Sequence, residues 1–431
     1  MPTEEGQEAR RALANAEALR RLTEATPMLV GVAPAGDVVP GMEPHVILTS
    51  GAPLDWPDYT GGQRRAVLHG AVYEGLADSP EQADERIRAG RILVRATQQH
   101  SCIGSVAGIY TASMPVLVAE ETTTGTRAYC NLYEGESRHR LNYGSYNAEV
   151  AAGLDMLRDL VGPLLGRVLD HQGPLDLMPM MARALRLGDE LHSRNTAGTL
   201  LFTRALTETL MDLDAESGPE VRRTLAFLAA NDYFFLRVSM VAAKAIADSA
   251  HGVAGSSLLT GMSLNCRNFC IRVSGLGDQW FVGEHPVLDG RYFDGHTAAD
   301  AEWIGGESCV TETVGLGGFA QACAPTLQAY QGGTYEAMLA NNLAMYDITA
   351  GEHPTFLLPP LGFRGSPVGI DVFEVLGTGV TPVIDGGLAG KDGGQIGAGV
   401  LRPHLDVFEA AAQAYTRIHG STDRPTDTTR G

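Results

Sequence analysis

Long apolar runs are missing from this 431-residue chain: no stretch of about 18 apolar residues occurs, so no membrane-spanning helix is expected. The amino terminus, Met1-Pro2-Thr3-Glu4-Glu5, lacks the basic-then-apolar order of a secretory signal, which points to the cytosol. Basic residues are scarce as well. With 32 Lys and Arg against 51 Asp and Glu the formal charge is −19, and such a surface repels nucleic-acid backbones and anionic lipid. Neither nucleic acid nor membrane is expected as a partner. The six cysteines, Cys102, Cys130, Cys266, Cys270, Cys309 and Cys323, form no Cys-x-x-Cys pair. Free buried thiols are therefore expected in place of a disulfide framework or a zinc site.

What is present is a globular composition, 44% hydrophobic and spread along the length, in a chain too long for one core, since single cores stop growing near roughly 250–300 residues. The reading is α+β and multi-domain: two α/β domains with a helical middle segment. Residues 1–146 form the first α/β domain. They open on an amphipathic helix over 5–25, with strand-like runs at Met28–Val32 and His45–Leu48. A further helix is capped by Ser79, starts at Pro80 and stops at Gly90. In residues 147–254 glycine thins out and apolar residues recur every three or four positions, as in Leu154–Val168, Leu200–Leu213 and Val221–Ala230. Glycine returns in residues 255–419, with strands at Phe269–Val273 and Trp280–Val282 and short helices near 326–345 and 403–418. Residues 420–431 are polar, lack apolar periodicity and read as a disordered tail.

Three polar clusters could carry chemistry. In Gly188-Asp189-Glu190-Leu191-His192-Ser193-Arg194-Asn195, between two apolar helical segments, Asp189 or Glu190 could orient His192 as an acid or base while Arg194 forks onto a carboxylate. The same residues would equally serve a plain helix junction capped by Asp189. In Thr311-Glu312-Thr313-Val314-Gly315-Leu316-Gly317-Gly318, the glycines could turn backbone amides toward an anion beside Glu312, or could simply solve a packing problem. From Asn265 to Asp278, alternation places Asn268, Cys270 and Arg272 on one strand face, and a buried Arg272 needs either a structural carboxylate or an anionic ligand. His100-Ser101-Cys102 sets a histidine, a hydroxyl and a thiol in three positions, and sequence proximity alone makes a weak case for a Cys102 nucleophile.

Taken in order, the segments GDELHSRN, FCIRVSGLGDQW, SCVTETVGLGGFA, FRGSPVGID and QIGAGVLRP resemble one family, the subunit of bacterial oxamate carbamoyltransferase from allantoin-degradation operons. The similarity runs from about Ala14 to Ala414 and takes in Trp56-Pro57, Met114-Pro115-Val116 and Asn231–Leu236. The resemblance implies a cytoplasmic transferase in which phosphate attacks the ureido carbonyl of oxalurate to give oxamate and carbamoyl phosphate, or the reverse. It also implies partner subunits or an oligomer, and no cofactor or metal beyond phosphate or carbamoyl phosphate as co-substrate.

On that basis the expected acid/base and orienting residues are His192, His100, Glu312 and Asp371. Substrate binding is expected from Asp189, Glu190, Arg194, Asn195, Asn265, Arg272, Arg364 and Lys391, with Gly315, Gly317 and Gly318 as the anion cradle. The scheme depends on Arg194, Arg272 and Arg364 meeting in one pocket. Departures from the family pattern fall inside its motifs, at Leu264–Cys270, Gln98-Gln99-His100 and Asp385–Lys391, and suggest a changed carbamoyl or cyclic amide substrate. Two other readings remain: a scaffold subunit without catalysis, and an amidohydrolase using water in place of phosphate.

Overall fold

The computed structural model describes residues 4–420. The expected disordered tail lies outside them, apart from Gly420. The architecture is α+β, with several small sheets among the helices. Among the described residues no helix is long and apolar enough to cross a membrane, and all six cysteines are free and buried.

A five-stranded sheet anchors the amino-terminal part, in the order Cys102–Ile103, Thr126–Asn131, Pro115–Glu121, Pro27–Pro34, Leu175–Asp176. Its central hairpin is written locally. Glu121 folds its carboxylate over the turn and accepts the backbone N–H groups of Thr123 at 3.0 Å and Thr124 at 2.8 Å, while Gly125 takes the left-handed conformation at φ +71°. The register Val116↔Asn131 then delivers Asn131 and the loop after it to the sheet end where the main cavity lies.

The helix at Pro80–Arg88 follows its sequence signals: Ser79 accepts from the Gln82 N–H and Gly90 adopts φ +68° just past the end. In the middle block two prolines disturb the helices. Pro163 cannot donate to a preceding carbonyl, and the turn before it, Leu157–Val161, is a π-helix. Ser217, ahead of Pro219, breaks the long helix Thr196–Ala229.

This middle block shares its core with the sheet. Leu29 and Leu117 from the sheet, Leu165, Met181, Phe202 and Val241 from the helices, and Phe356 and Val368 from a later ribbon belong to one buried cluster. The helix Phe235–Ser249, almost wholly buried, is its axis. A second cluster gathers the strands Leu259–Leu264 and Phe269–Val273 against the helices Val372–Thr378 and Asp406–His419. The cavity opens between residues of the two clusters.

Candidate active site

The helix Leu177–Arg186 stops where the chain must turn back into Thr196–Ala229, and residues 188–195 make that turn. Glu190 holds it. Its buried carboxylate accepts the backbone N–H groups of His192 at 3.2 Å and Arg194 at 2.8 Å, and that of Ser193, a short contact. Leu191 is thereby kept at φ +70°, a conformation costly for a branched side chain and tolerated because the surrounding bonds over-determine it. Asp189 accepts from the Gly198 N–H at 2.7 Å, and Asn195 donates to the His192 carbonyl at 2.9 Å. These groups shape the turn, and the turn presents His192 and Ser193 to the cavity.

Opposite His192 stands Glu312, on a single turn of helix, Val310–Thr313. Its Oε1 lies 2.8 Å from His192 Nδ1, and both residues are buried. The same carboxylate accepts the N–H groups of Gly318 and Asp385, each at 3.0 Å, and the Thr311 hydroxyl at 2.9 Å. A carboxylate so supplied with donors is fixed in place. Burial disfavours a charged His192 ring, but the Glu312 charge and hydrogen bond, with Asp385 nearby, outweigh it and raise the imidazole above its ordinary pKa. With Nδ1 engaged, Nε2 is the ring nitrogen left for a ligand.

Asp385 completes the group. Its Oδ1 accepts from the amides of Gln321 at 2.7 Å and Gln331 at 3.1 Å, and Gln331 also donates to the Ser193 hydroxyl at 3.2 Å. Its Oδ2 has no partner although it is buried. Burial, then the Glu312 charge, push the Asp385 carboxyl up to about 6, and burial together with the Asp385 charge raise Glu190 well above the carboxylate range.

The cavity has a volume of about 770 Å³. Beyond His192, Ser193 and Asp385, its wall carries Arg140 and Arg237 and the rings of Tyr133, Tyr143, Tyr233, Tyr330 and Trp303. Among the described residues no cluster suited to a metal ion occurs.

The expected convergence of arginines does not occur. Arg194 lies 3.6 Å from Asp189 and donates to the Gly188 carbonyl. Arg272 is buried against Asp248, which also binds Lys244 at 2.8 Å. Arg364 is exposed, paired with Glu352 at 2.7 Å and laid over the Tyr346 ring. None of the three lines the cavity, because each already has a protein counter-charge, and the substrate-binding scheme built on them falls.

Other expectations need correction on similar grounds. Gly315, Gly317 and Gly318 cradle no external anion: their N–H groups donate to the Glu312 carbonyl, the Glu190 carbonyl and the Glu312 carboxylate. His100 has Nδ1 2.7 Å from the Pro40 carbonyl, away from the cavity. Asp371 caps the helix Val372–Thr378 and accepts from Asn15 and Ser257. Asn265 closes a tight turn by accepting the N–H groups of Arg267 and Asn268. Lys391 donates to the Ala299 carbonyl at the surface. Glu190, Asp189 and Asn195 sit behind the cavity wall and do not line it. Of the expected set, His192 reaches the cavity wall, and Glu312 is bonded to it from behind.

Sequence reasoning missed Arg237, Arg140 and the role of Asp385. Arg237 had a signal: it is a lone cation in the apolar run Phe234-Phe235-Leu236-Arg237-Val238. Arg140 sits in an irregular loop whose course no periodicity predicts.

The fold and this wall define a protein with a cavity of about 770 Å³ that presents a carboxylate-bound histidine, and the comparisons say which family it belongs to. Residues 92–308 match the family Oxamate carbamoyltransferase subunit AllG. The chain is 34% identical to the Escherichia coli (strain K12) protein named oxamate carbamoyltransferase subunit AllG, over 95% of this chain and 98% of that one. It is 38% identical to the uncharacterized protein YahG of the same organism, over 95% of this chain and 87% of that one. A crystal structure of a conserved protein of unknown function from Enterococcus faecalis V583 superposes with a TM-score of 0.93 at 37% identity, covering 97% of this chain and 99% of the other. The chain belongs to the AllG family.

Proposed function

We propose that this protein is a carbamoyl-transfer subunit acting on a small ureido acid, with His192 as the proton donor and acceptor. The observation that carries the reading is the buried His192–Glu312 pair, with His192 on the cavity wall and Glu312 behind it, in a chain 34% identical to AllG.

With oxalurate as the ureido acid, an oxygen of hydrogen phosphate forms a bond to the ureido carbonyl carbon and the bond from that carbon to the oxamate nitrogen breaks. The leaving nitrogen takes a proton from His192 Nε2, and the proton of the hydrogen phosphate restores the ring. Oxamate and carbamoyl phosphate leave, and the reverse direction runs through the same proton transfers. Glu312 acts as a positioning residue, fixing the tautomer and keeping the ring charged to higher pH. Catalysis takes place in the cytosol in an assembly with other subunits, as the subunit name of the relative suggests.

The test is an assay of the chain together with its partner subunits, supplied with oxalurate and related ureido acids. Phosphate-dependent formation of carbamoyl phosphate is expected. Phosphate-independent release of ammonia would point to hydrolysis instead, and a complex whose turnover is indifferent to replacement of His192 would make the chain a scaffold.

A further inference from the structure

Among the described residues, the buried cations Arg272 and Lys244 are matched by a carboxylate, and Arg237 is not. Arg272 faces Asp248, and Lys244 shares the same carboxylate. Arg237 is just as deeply buried, at 4% exposure, yet among the described residues no carboxylate lies within ion-pair distance of it. Its Nη1 donates to the Asn131 side-chain oxygen at 3.0 Å, its other partner is the Cys130 thiol, and its Nε has no partner. A buried charge without a counter-charge is strongly unfavourable. Arg237 also occupies the first turn of the helix Phe235–Ser249, where the positive end of the helix dipole opposes a cation.

A second guanidinium lies on the same wall. Arg140 donates to the Tyr133 hydroxyl at 2.9 Å and stacks over the Tyr143 ring, and it too has a buried Nε without a partner and no ion pair among the described residues. Both arginines are held around the end of one strand, Arg237 through Asn131 and Arg140 through Tyr133 two residues on. Both line the cavity that contains His192.

We infer that Arg237, with Arg140 lining the same cavity, is its anion-binding element, and that it takes a small oxyanion, a phosphate or a carboxylate, whose charge replaces the counter-ion Arg237 lacks. This rests on the functional reading of the cavity and specifies its binding side. A planar fork with an unused Nε suits either a carboxylate or a phosphoryl group.

Isothermal titration of the full chain with inorganic phosphate, and separately with oxamate, tests the inference in the wild type, Arg237→Met and Arg237→Lys. At least one probe is expected to bind the wild type. Arg237→Met should weaken it roughly ten- to hundredfold, the range of a charge-assisted contact, and Arg237→Lys should fall between. Binding of phosphate alone assigns the guanidinium to the phosphoryl group, and binding of oxamate alone to the oxalyl carboxylate. Without ligand, Arg237→Met should melt no lower than the wild type, because it removes a buried charge and strands none. Unchanged binding in both variants, or no binding of either probe to the wild type, overturns the inference. A fall in melting temperature with affinity retained overturns it as well, by making Arg237 structural. The two proposals separate cleanly: Arg237-dependent anion binding without carbamoyl phosphate formation removes the transfer reading alone, while His192-dependent turnover with indifferent Arg237 variants removes this one alone.

Discussion

His192 Nδ1 and Glu312 Oε1, from residues 120 positions apart in the chain, meet at 2.8 Å with both side chains out of solvent. The pair exists because two turns interlock: the Gly317 N–H donates to the Glu190 carbonyl at 2.7 Å, tying the loop that carries Glu312 to the turn that carries His192.

Breaking that pair has a signed pH consequence. The folded pKa of His192 is raised above its ordinary 6.5, so its stabilisation is fully present below that value and is lost as pH rises through the folded pKa. Glu312→Gln should abolish this dependence and destabilise the protein by about 3 kcal/mol below pH 6.5, since a buried charged pair is broken. Chemical denaturation across neutral pH measures both, and an NMR titration should show the His192 pKa falling in the variant.

Gly317 leaves no room for a side chain. It adopts φ +57°, and a Cβ there would lie 2.2 Å from Glu312 Oε1 and 3.0 Å from His192 Cβ. Gly317→Ala should therefore cost about 1–3 kcal/mol and displace the pair, lowering turnover more than substrate affinity. Kinetic constants measured beside melting curves check this.

Asp385 has the same sign in a lower pH window. Its carboxyl is raised from 3.8 to about 6, so the folded state binds the proton more tightly than the unfolded chain. Stability should fall between about pH 4 and pH 6 by about 3 kcal/mol, and Asp385→Asn should remove that decline. Unfolding free energies at three or four pH values suffice to see it.

Asp248 should behave as a structural residue. Burial opposes its charge, but Lys244 and Arg272 outweigh burial and lower its carboxyl to about 2, so its stabilisation is present above pH 3.8 and is lost as pH falls toward 2. Asp248→Asn should destabilise by about 3–5 kcal/mol at neutral pH, leaving two buried cations unpaired, without altering anion binding at Arg237. Arg364→Ala, at an exposed pair, should leave both melting temperature and turnover unchanged.

The parts of the fold that were readable in the sequence are those governed locally. The helix Pro80–Arg88 is specified by Ser79, Pro80 and Gly90, and the helical block by its period. Strand runs such as Phe269–Val273 were visible in their apolar pattern. The candidate site was legible at His192 and Glu312, as polar residues held in apolar surroundings, but their contact depends on a tertiary lock that spacing does not record. The arginines failed for a related reason. Whether a guanidinium serves the fold or a ligand depends on whether a carboxylate stands beside it, and Asp248 and Glu352 reach Arg272 and Arg364 only once the chain is folded. Arg237 is the converse case, distinguished by the carboxylate it lacks.

The most direct test of the account is the rate of phosphate-dependent carbamoyl phosphate formation by the assembled complex carrying His192→Gln. A well-folded variant should lose roughly 10²–10⁴ in kcat, the usual contribution of a positioned acid/base, while still binding oxamate. Turnover equal to that of the wild type, at an unchanged melting temperature, would contradict it.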